Sequence, residues 1–189
     1  MSLIPDFELG LWNAWIFLPY LFLIMYAVDK LKKGEEPKNE LDALSKTEKR
    51  IFIFSKLVFF CAVIYSIFLP LKLGMTWFYV GLPITLIGLA TVTIVMTNFA
   101  TTPWDEPVIK GLYRYSRHPM YITSSLFLLG VGIASASWLF LLLSILFAIS
   151  HFTNAIPEER FCLRQYGEAY REYMNRTPRW IGIPKSVEK

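Results

Sequence analysis

The sequence has few cysteines, histidines and charged residues, and each shortage excludes a class of protein. Two cysteines and two histidines in 189 residues form no CxxC pair and no metal-ligand spacing, so we predict no metal site. Only 18% of the residues are charged, below the roughly one quarter that is typical of soluble domains. The net charge of +4 comes with no nucleic-acid motif, and we expect no nucleic-acid partner.

Long apolar runs are what the chain has instead, since 54% of its residues are hydrophobic. Each run is near the roughly 20 residues that a helix needs to cross a bilayer, although the fourth is short. Backbone groups in lipid must be satisfied within the chain, so helices are the expected structure. The sequence therefore predicts an all-α integral membrane protein with five transmembrane helices, at about 11–28, 51–71, 77–98, 119–135 and 138–156.

The positions of lysine and arginine predict the orientation of these spans. Seventeen of the nineteen basic residues lie on one side if the N-terminus is outside and the C-terminus cytoplasmic, the exceptions being Lys56 and Lys72. The first run follows Asp6 and Glu8 and has no basic flank, so we interpret it as a retained span. We place the protein in a prokaryotic cell membrane, with the endoplasmic reticulum as the alternative.

The chain divides into two predicted parts. Residues 1–100 form a scaffold of three spans with a charged cytoplasmic connection at 29–50, expected to be a solvated loop with a short helix. Residues 101–189 form the catalytic part, which contains a connection, a helical hairpin and a C-terminal helix. Spans four and five are joined by Ser135, Ala136 and Ser137 alone, and Gly130 with Ala134 permits close helix packing.

The stretch from Lys110 to Tyr121 is the first candidate site. It places Arg117, His118 and Pro119 in a row at the predicted start of span four, among three tyrosines. Arginine and tyrosine also anchor helix ends at the interface, which is the simpler interpretation. Asn98, at the end of span three, is an amide that can contact the edge of a base.

The end of span five is the second candidate site. His151, Asn154 and Glu158 share one helix face, and Glu159 follows. Intramembrane polar groups are costly and often functional, although His151 alone could form an ordinary interhelical hydrogen bond. After Pro157, residues 158–175 predict an interfacial helix that caps the site or attaches the chain to the membrane.

These two stretches together resemble a known family. Gly111-x-Tyr113-x-x-x-Arg117-His118-Pro119-x-Tyr121, followed by Glu158-Glu159 and by Tyr166-Gly167, is similar to the isoprenylcysteine carboxyl methyltransferases, which group with the phospholipid N-methyltransferases. The resemblance covers roughly residues 95–182. It implies that S-adenosylmethionine is bound and S-adenosylhomocysteine released, while a lipophilic small-molecule or lipidated acceptor enters from the bilayer.

The resemblance also implies site residues. Its cofactor contacts fall on Asn98, Asp105, Glu106, Pro107, Val108, Tyr113, His118, Pro119, Met120, Tyr121 and Glu158. Its catalytic candidates are Arg117, His151, Asn154 and Glu159. Arg117 would bind the cofactor carboxylate or pair with a glutamate, and His151 or Glu159 would act as a base if the acceptor is an amine.

Two positions depart from the family pattern. Asp105 stands where the family usually has histidine, and Asn154 stands where the isoprenylcysteine enzymes have an arginine for the substrate carboxylate. A neutral amide cannot form a charge-assisted pair with a carboxylate, so amine, thiol and other lipid acceptors stay open. An NADPH-dependent membrane reductase of the sterol type, and a non-enzymatic protein with this fold, are the rival interpretations.

Overall fold

The structure, a computed structural model, describes residues 9–34 and 44–185, and within these ranges every regular element is helical. Six α-helices follow one another in the described part of the chain, with single 3₁₀ turns at Ala14–Phe17 and Gly111–Arg114. They are α1 Leu18–Leu31, α2 Lys46–Ile67, α3 Thr76–Ala100, α4 Pro119–Ala134, α5 Trp138–Tyr166 and α6 Glu168–Arg176.

Four helical stretches of the described chain are long and apolar enough to cross a membrane: Ala14–Leu31, α2, α3 and α5. The predicted fourth span corresponds to α4, which has only 16 residues. Most of its side chains are buried against neighbouring helices, so this helix is central to the bundle. Part of the predicted connection at 29–50, residues 35–43, lies outside the described residues.

The prediction of a separate helix after Pro157 is wrong. Instead of ending at 156 before a separate helix, α5 continues through Pro157 to Tyr166. A proline in a helix removes one backbone hydrogen bond, a loss that tertiary packing offsets here because Pro157 is buried. The break falls at Gly167, whose positive φ of 57° is accessible to glycine. The two glutamates therefore lie on α5 itself.

Glycines allow α3 and α4 to approach closely. A Cβ at Gly130 would overlap the backbone of Thr85, and one at Gly81 would overlap the backbone of Ala134. The predicted small-residue packing of Gly130 and Ala134 is thus confirmed. The tight turn between α4 and α5 is also present, with the Ser137 hydroxyl accepting the Phe140 backbone N–H at 3.2 Å. This hairpin brings the start of α4 beside the end of α5.

We expect Gly130→Ala to destabilise the fold far more than Gly132→Ala on the same helix. The new methyl at Gly130 meets rigid backbone, whereas at Gly132 it meets the mobile end of the Leu141 side chain. Such overpacking costs about 1–3 kcal/mol. Thermal unfolding in detergent measures both variants, and equal melting temperatures would contradict the packing described for α3 and α4.

Candidate active site

The ionic centre of the site is Glu159 on α5. Its side chain is 5% exposed and is surrounded by three cationic groups. Arg179 donates to both carboxylate oxygens, from Nε at 3.1 Å and from Nη2 at 2.8 Å. Arg117 Nη1 and His118 Nε2 each lie 3.1 Å from Oε1. The charge of Glu159 is therefore compensated within the protein, and this carboxylate ties three chain segments together.

Glu158, the neighbouring carboxylate, is in a different situation. Its side chain stays 36% exposed. One oxygen, Oε2, accepts the hydroxyl of Tyr121 and lies 3.3 Å from His118 Nδ1. The acid is thus held in a fixed orientation by two groups at the start of α4, yet part of it remains open to a ligand.

His118 connects the two carboxylates, because each of its ring nitrogens faces one of them. Burial alone lowers the pKa of His118, but the hydrogen bonds to Glu158 and Glu159 outweigh burial and raise it above the usual value. In the protonated imidazole both nitrogens donate, which matches an arrangement with one carboxylate on each side.

Aromatic rings enclose this ionic centre. Tyr121 stacks on His118 with ring centroids 5.4 Å apart, and Trp180 approaches His118 at 5.8 Å. On the other side, His151 packs edge-on against Tyr121 at 4.8 Å. The wall combines residues from α4, α5 and the C-terminal segment after α6.

His151 and Asn154 extend the site from Glu158 along the same face of α5. Asn154 is buried and lies between His151 and Glu158 in the helix. His151 Nδ1 lies 2.9 Å from Ser55 Oγ of α2 and 3.2 Å from the Phe147 carbonyl oxygen. The polar face of α5 is thus joined to α2, a helix that the sequence did not associate with the site.

The C-terminal segment supplies two residues that sequence reasoning missed, Arg179 and Trp180. The segment is held against the connection before α4 by backbone hydrogen bonds, from Arg117 N to Pro178 O at 3.1 Å and from Gly182 N to Tyr115 O at 3.0 Å. A basic residue beside a tryptophan, just after an amphipathic helix, was the available signal.

Asn98 and Gly111 form a second part of the site. The Nδ2 atom of Asn98 is buried and has no hydrogen-bond partner among the described residues. Gly111 packs directly on this amide with a φ of +59°, and a Cβ there would overlap Nδ2. Arg117 Nε is likewise buried and unpartnered within the described chain. Unsatisfied buried donors are costly in a protein, so both atoms are suited to a ligand acceptor.

The remaining predicted contacts fall into two groups. Val108 and Met120 pack with Tyr113 and Tyr173 in a separate tyrosine-rich cluster. Burial raises the pKa of Tyr113, first of all, and the nearby Glu158 charge adds to the effect, so the phenol stays neutral. Asp105 and Glu106 are exposed, and Pro107 is half-buried.

Asp105 lines an open pocket of about 460 Å³ away from the ionic centre. The other lining residues are Gly34, Pro103, Trp104 and Gln165. The structure therefore brings together Arg117, His118, Tyr121, Glu158 and Glu159 directly, and His151 through Tyr121. It gives Asp105 and Glu106 no described contact with that group.

The apolar helices indicate a membrane protein, and its candidate site lies at the start of α4 and near the end of α5. Comparison with known proteins gives the class of the protein as a membrane methyltransferase. The family model described as phospholipid methyltransferase matches residues 71–169, just over half of the chain. The chain belongs to the phospholipid methyltransferase family, which confirms the resemblance to this wider group. No curated protein matches the sequence.

The matched region has informative limits. It contains Asn98, the stretch from Arg117 to Tyr121 and both glutamates, but it begins after Ser55 and ends before Arg179. The match does not favour the membrane reductase interpretation. Three of the side chains described at the site, Ser55, Arg179 and Trp180, thus lie outside the matched residues.

Proposed function

We propose that the protein transfers a methyl group from S-adenosylmethionine to an amine nitrogen of a lipophilic acceptor. The observation that carries this proposal is Glu158, a partly exposed carboxylate fixed by His118 and Tyr121 within a methyltransferase family match. A fixed carboxylate suits a cationic ligand, and the cofactor carries both an ammonium and a sulfonium group.

The described side chains fit the cofactor. The unpartnered Nδ2 of Asn98 is a donor for an acceptor atom on the adenine edge, and the unpartnered Nε of Arg117 is a donor for a carboxylate. Tyr121 offers a flat face, and Glu158 pairs with the ammonium or the ribose hydroxyls. Tyr113 keeps the role that the resemblance implies, although it packs in the separate tyrosine-rich cluster. The backbone around His118 and Pro119 would hold the amino-acid part.

The other predicted contacts of the cofactor keep the places that the resemblance implies for them. They are Asp105, Glu106, Pro107, Val108 and Met120. When bound, the cofactor would supply an activated methyl group on sulfur, which passes to the acceptor by in-line displacement of the sulfur. The protein mainly positions the partners and excludes water.

The charges around Asn154 favour an amine over a carboxylate acceptor. Asn154 is a neutral amide, and the two arginines nearest the glutamates, Arg117 and Arg179, are already engaged by Glu159. A carboxylate acceptor would have to compete with Glu159 for these two cations, and the unpartnered Nε of Arg117 is proposed for the cofactor carboxylate. We therefore propose an amine acceptor rather than the carboxylate that the isoprenylcysteine enzymes methylate.

We propose that α4 also crosses the membrane, which gives five spans in total, with the N-terminus outside and the site facing the cytoplasm of a prokaryotic cell. Its 16 residues extend roughly 24 Å, less than a bilayer core of roughly 30 Å. Its burial among other helices reduces the need to match the lipid thickness. The bias of basic residues supports the orientation. The proposed division at residue 100 separates the three-span scaffold from the catalytic part, and Ser55 and Asn98 of the scaffold contribute side chains to the site.

Calorimetric titration of the detergent-purified protein with S-adenosylhomocysteine, with NADPH in parallel, tests the proposal. We expect micromolar binding of the first ligand and none of the second. Labelled S-adenosylmethionine should then methylate lipid amines in preference to thiols and prenylated cysteines. Binding of NADPH alone would overturn the proposal, and so would methyl transfer confined to prenylcysteine carboxylates.

A further inference from the structure

The contact between Ser55 and His151 joins α2 to the candidate site. Ser55 is buried on a membrane-spanning helix outside the region that matches the family, and its hydroxyl oxygen lies 2.9 Å from His151 Nδ1. A serine on α2 can also bond its own helix, as Ser66 does by donating to the Val63 carbonyl at 2.6 Å. Ser55 instead meets a ring nitrogen on α5.

The two contacts of Nδ1 favour one tautomer of His151. Nδ1 also lies 3.2 Å from the Phe147 carbonyl oxygen, and a carbonyl only accepts. A proton on Nδ1 satisfies both contacts, with Phe147 O and Ser55 Oγ as acceptors, whereas a proton on Nε2 would give the Phe147 carbonyl no donor from this ring. In the neutral imidazole this leaves the lone pair on Nε2. His151 is only partly buried, so part of its side chain remains exposed.

We propose that His151 is the base that deprotonates the amine acceptor, and that Ser55 is a positioning residue that holds His151 in this tautomer. The inference rests on the proposed function and adds a residue pair to it. The acceptor ammonium gives one proton to Nε2. The freed nitrogen lone pair forms the N–C bond as the S–C bond breaks, and that electron pair stays on sulfur in the thioether product. The imidazolium then releases its proton to water.

His151 is engaged in fewer ionic contacts than Glu159, the other candidate base. Glu159 is occupied by Arg117, His118 and Arg179, so accepting a proton would break three ionic contacts. The groups that face or act on His151 are Tyr121 from α4, Lys56 from α2 and Glu158 on its own helix. The His151 imidazole packs edge-on against the Tyr121 ring. The hydroxyl of the same tyrosine donates to Glu158, where the cofactor is proposed to bind.

The first test reads the tautomer directly and needs no activity. The chain has two histidines, so ¹⁵N-histidine labelling gives two imidazoles, and His151→Gln assigns them. We expect His151 in the wild type to be neutral with the proton on Nδ1. Ser55→Ala should mix the tautomers, while Ser66→Ala, the same change at a buried site on the same helix, should not. A wild-type proton on Nε2 would overturn the proposal.

The second test reads the reaction against pH. With an aliphatic amine acceptor at pH 7, we expect kcat/KM to fall about 100-fold or more in His151→Gln, the usual range for a lost general base. It should fall roughly 10-fold in Ser55→Ala, with recovery in Ser55→Thr and no change in Ser66→Ala. These deficits should shrink as the pH approaches the acceptor's own pKa, about 10, because a free amine needs no base.

The outcomes distinguish a failure of the proposed base from a failure of the proposed function. Deficits that stay constant with pH, or equal effects of Ser55→Ala and Ser66→Ala, would overturn the base and its positioning residue while methyl transfer stood. A wild type that bound no S-adenosylhomocysteine would overturn the proposed function and the base with it. Affinity for S-adenosylhomocysteine should be unchanged in Ser55→Ala, since the described contact of Ser55 is with His151, the proposed base, and not with a residue proposed to bind the cofactor.

Discussion

Replacing Glu158 by glutamine is expected to weaken S-adenosylhomocysteine binding roughly 30- to 150-fold. The change keeps the size of the side chain and an oxygen that can accept from Tyr121 and His118, but removes the negative charge that faces the ligand. Hydrogen bonds to charged groups contribute about 1.5–3 kcal/mol, and the upper part of that range gives this factor. Calorimetric titration measures the change in Kd.

Glu172→Gln provides the matched control. Glu172 is an exposed acid on α6 that pairs with Arg176 at 3.4 Å, so the same substitution there should leave the Kd unchanged. The melting temperature of Glu158→Gln without ligand should stay close to that of the wild type, since Glu158 is partly exposed. Unchanged affinity in Glu158→Gln would remove this residue from the cofactor site.

The meeting of the two candidate stretches was predictable from the sequence. A three-residue connection forces α4 and α5 to run antiparallel, so residues at the start of the first helix lie beside residues near the end of the second. His118 and Glu159 are 41 residues apart, yet a helical hairpin brings them within 3.1 Å. The helix periodicity likewise placed His151 and Glu158 on one face.

The contributions of Ser55, Arg179 and Trp180 were not predictable in the same way. Ser55 and His151 are 96 residues apart on helices that do not follow one another, and a single serine in an apolar run has no periodic signal. The C-terminal segment folds back through backbone hydrogen bonds, which any sequence can form. The prediction of a helix boundary at Pro157 failed because proline ends helices exposed to water, whereas packing maintains α5 through this residue.

Replacing Glu159 by glutamine is expected to be the most destabilising change in the site. The Arg117 side chain is 11% exposed and the Glu159 side chain 5%, so removing the acid leaves a buried guanidinium without its counter-charge. Breaking a buried pair in this way costs about 3–5 kcal/mol. For a chain of this size the melting temperature should fall by on the order of 10 °C. Thermal unfolding in detergent measures it.

Two comparisons test whether burial causes the loss of stability expected for Glu159→Gln. Glu168→Gln removes an exposed pair with Arg171 and should cost no more than about 1 kcal/mol. Arg179→Gln should destabilise the protein less than Arg117→Gln. Arg179 is 39% exposed, so water can take its place beside Glu159. It should nevertheless release the C-terminal segment to protease, since Arg179 holds that segment on α5. Equal shifts for Glu159→Gln and Glu168→Gln would show that Glu159 does not join the three segments.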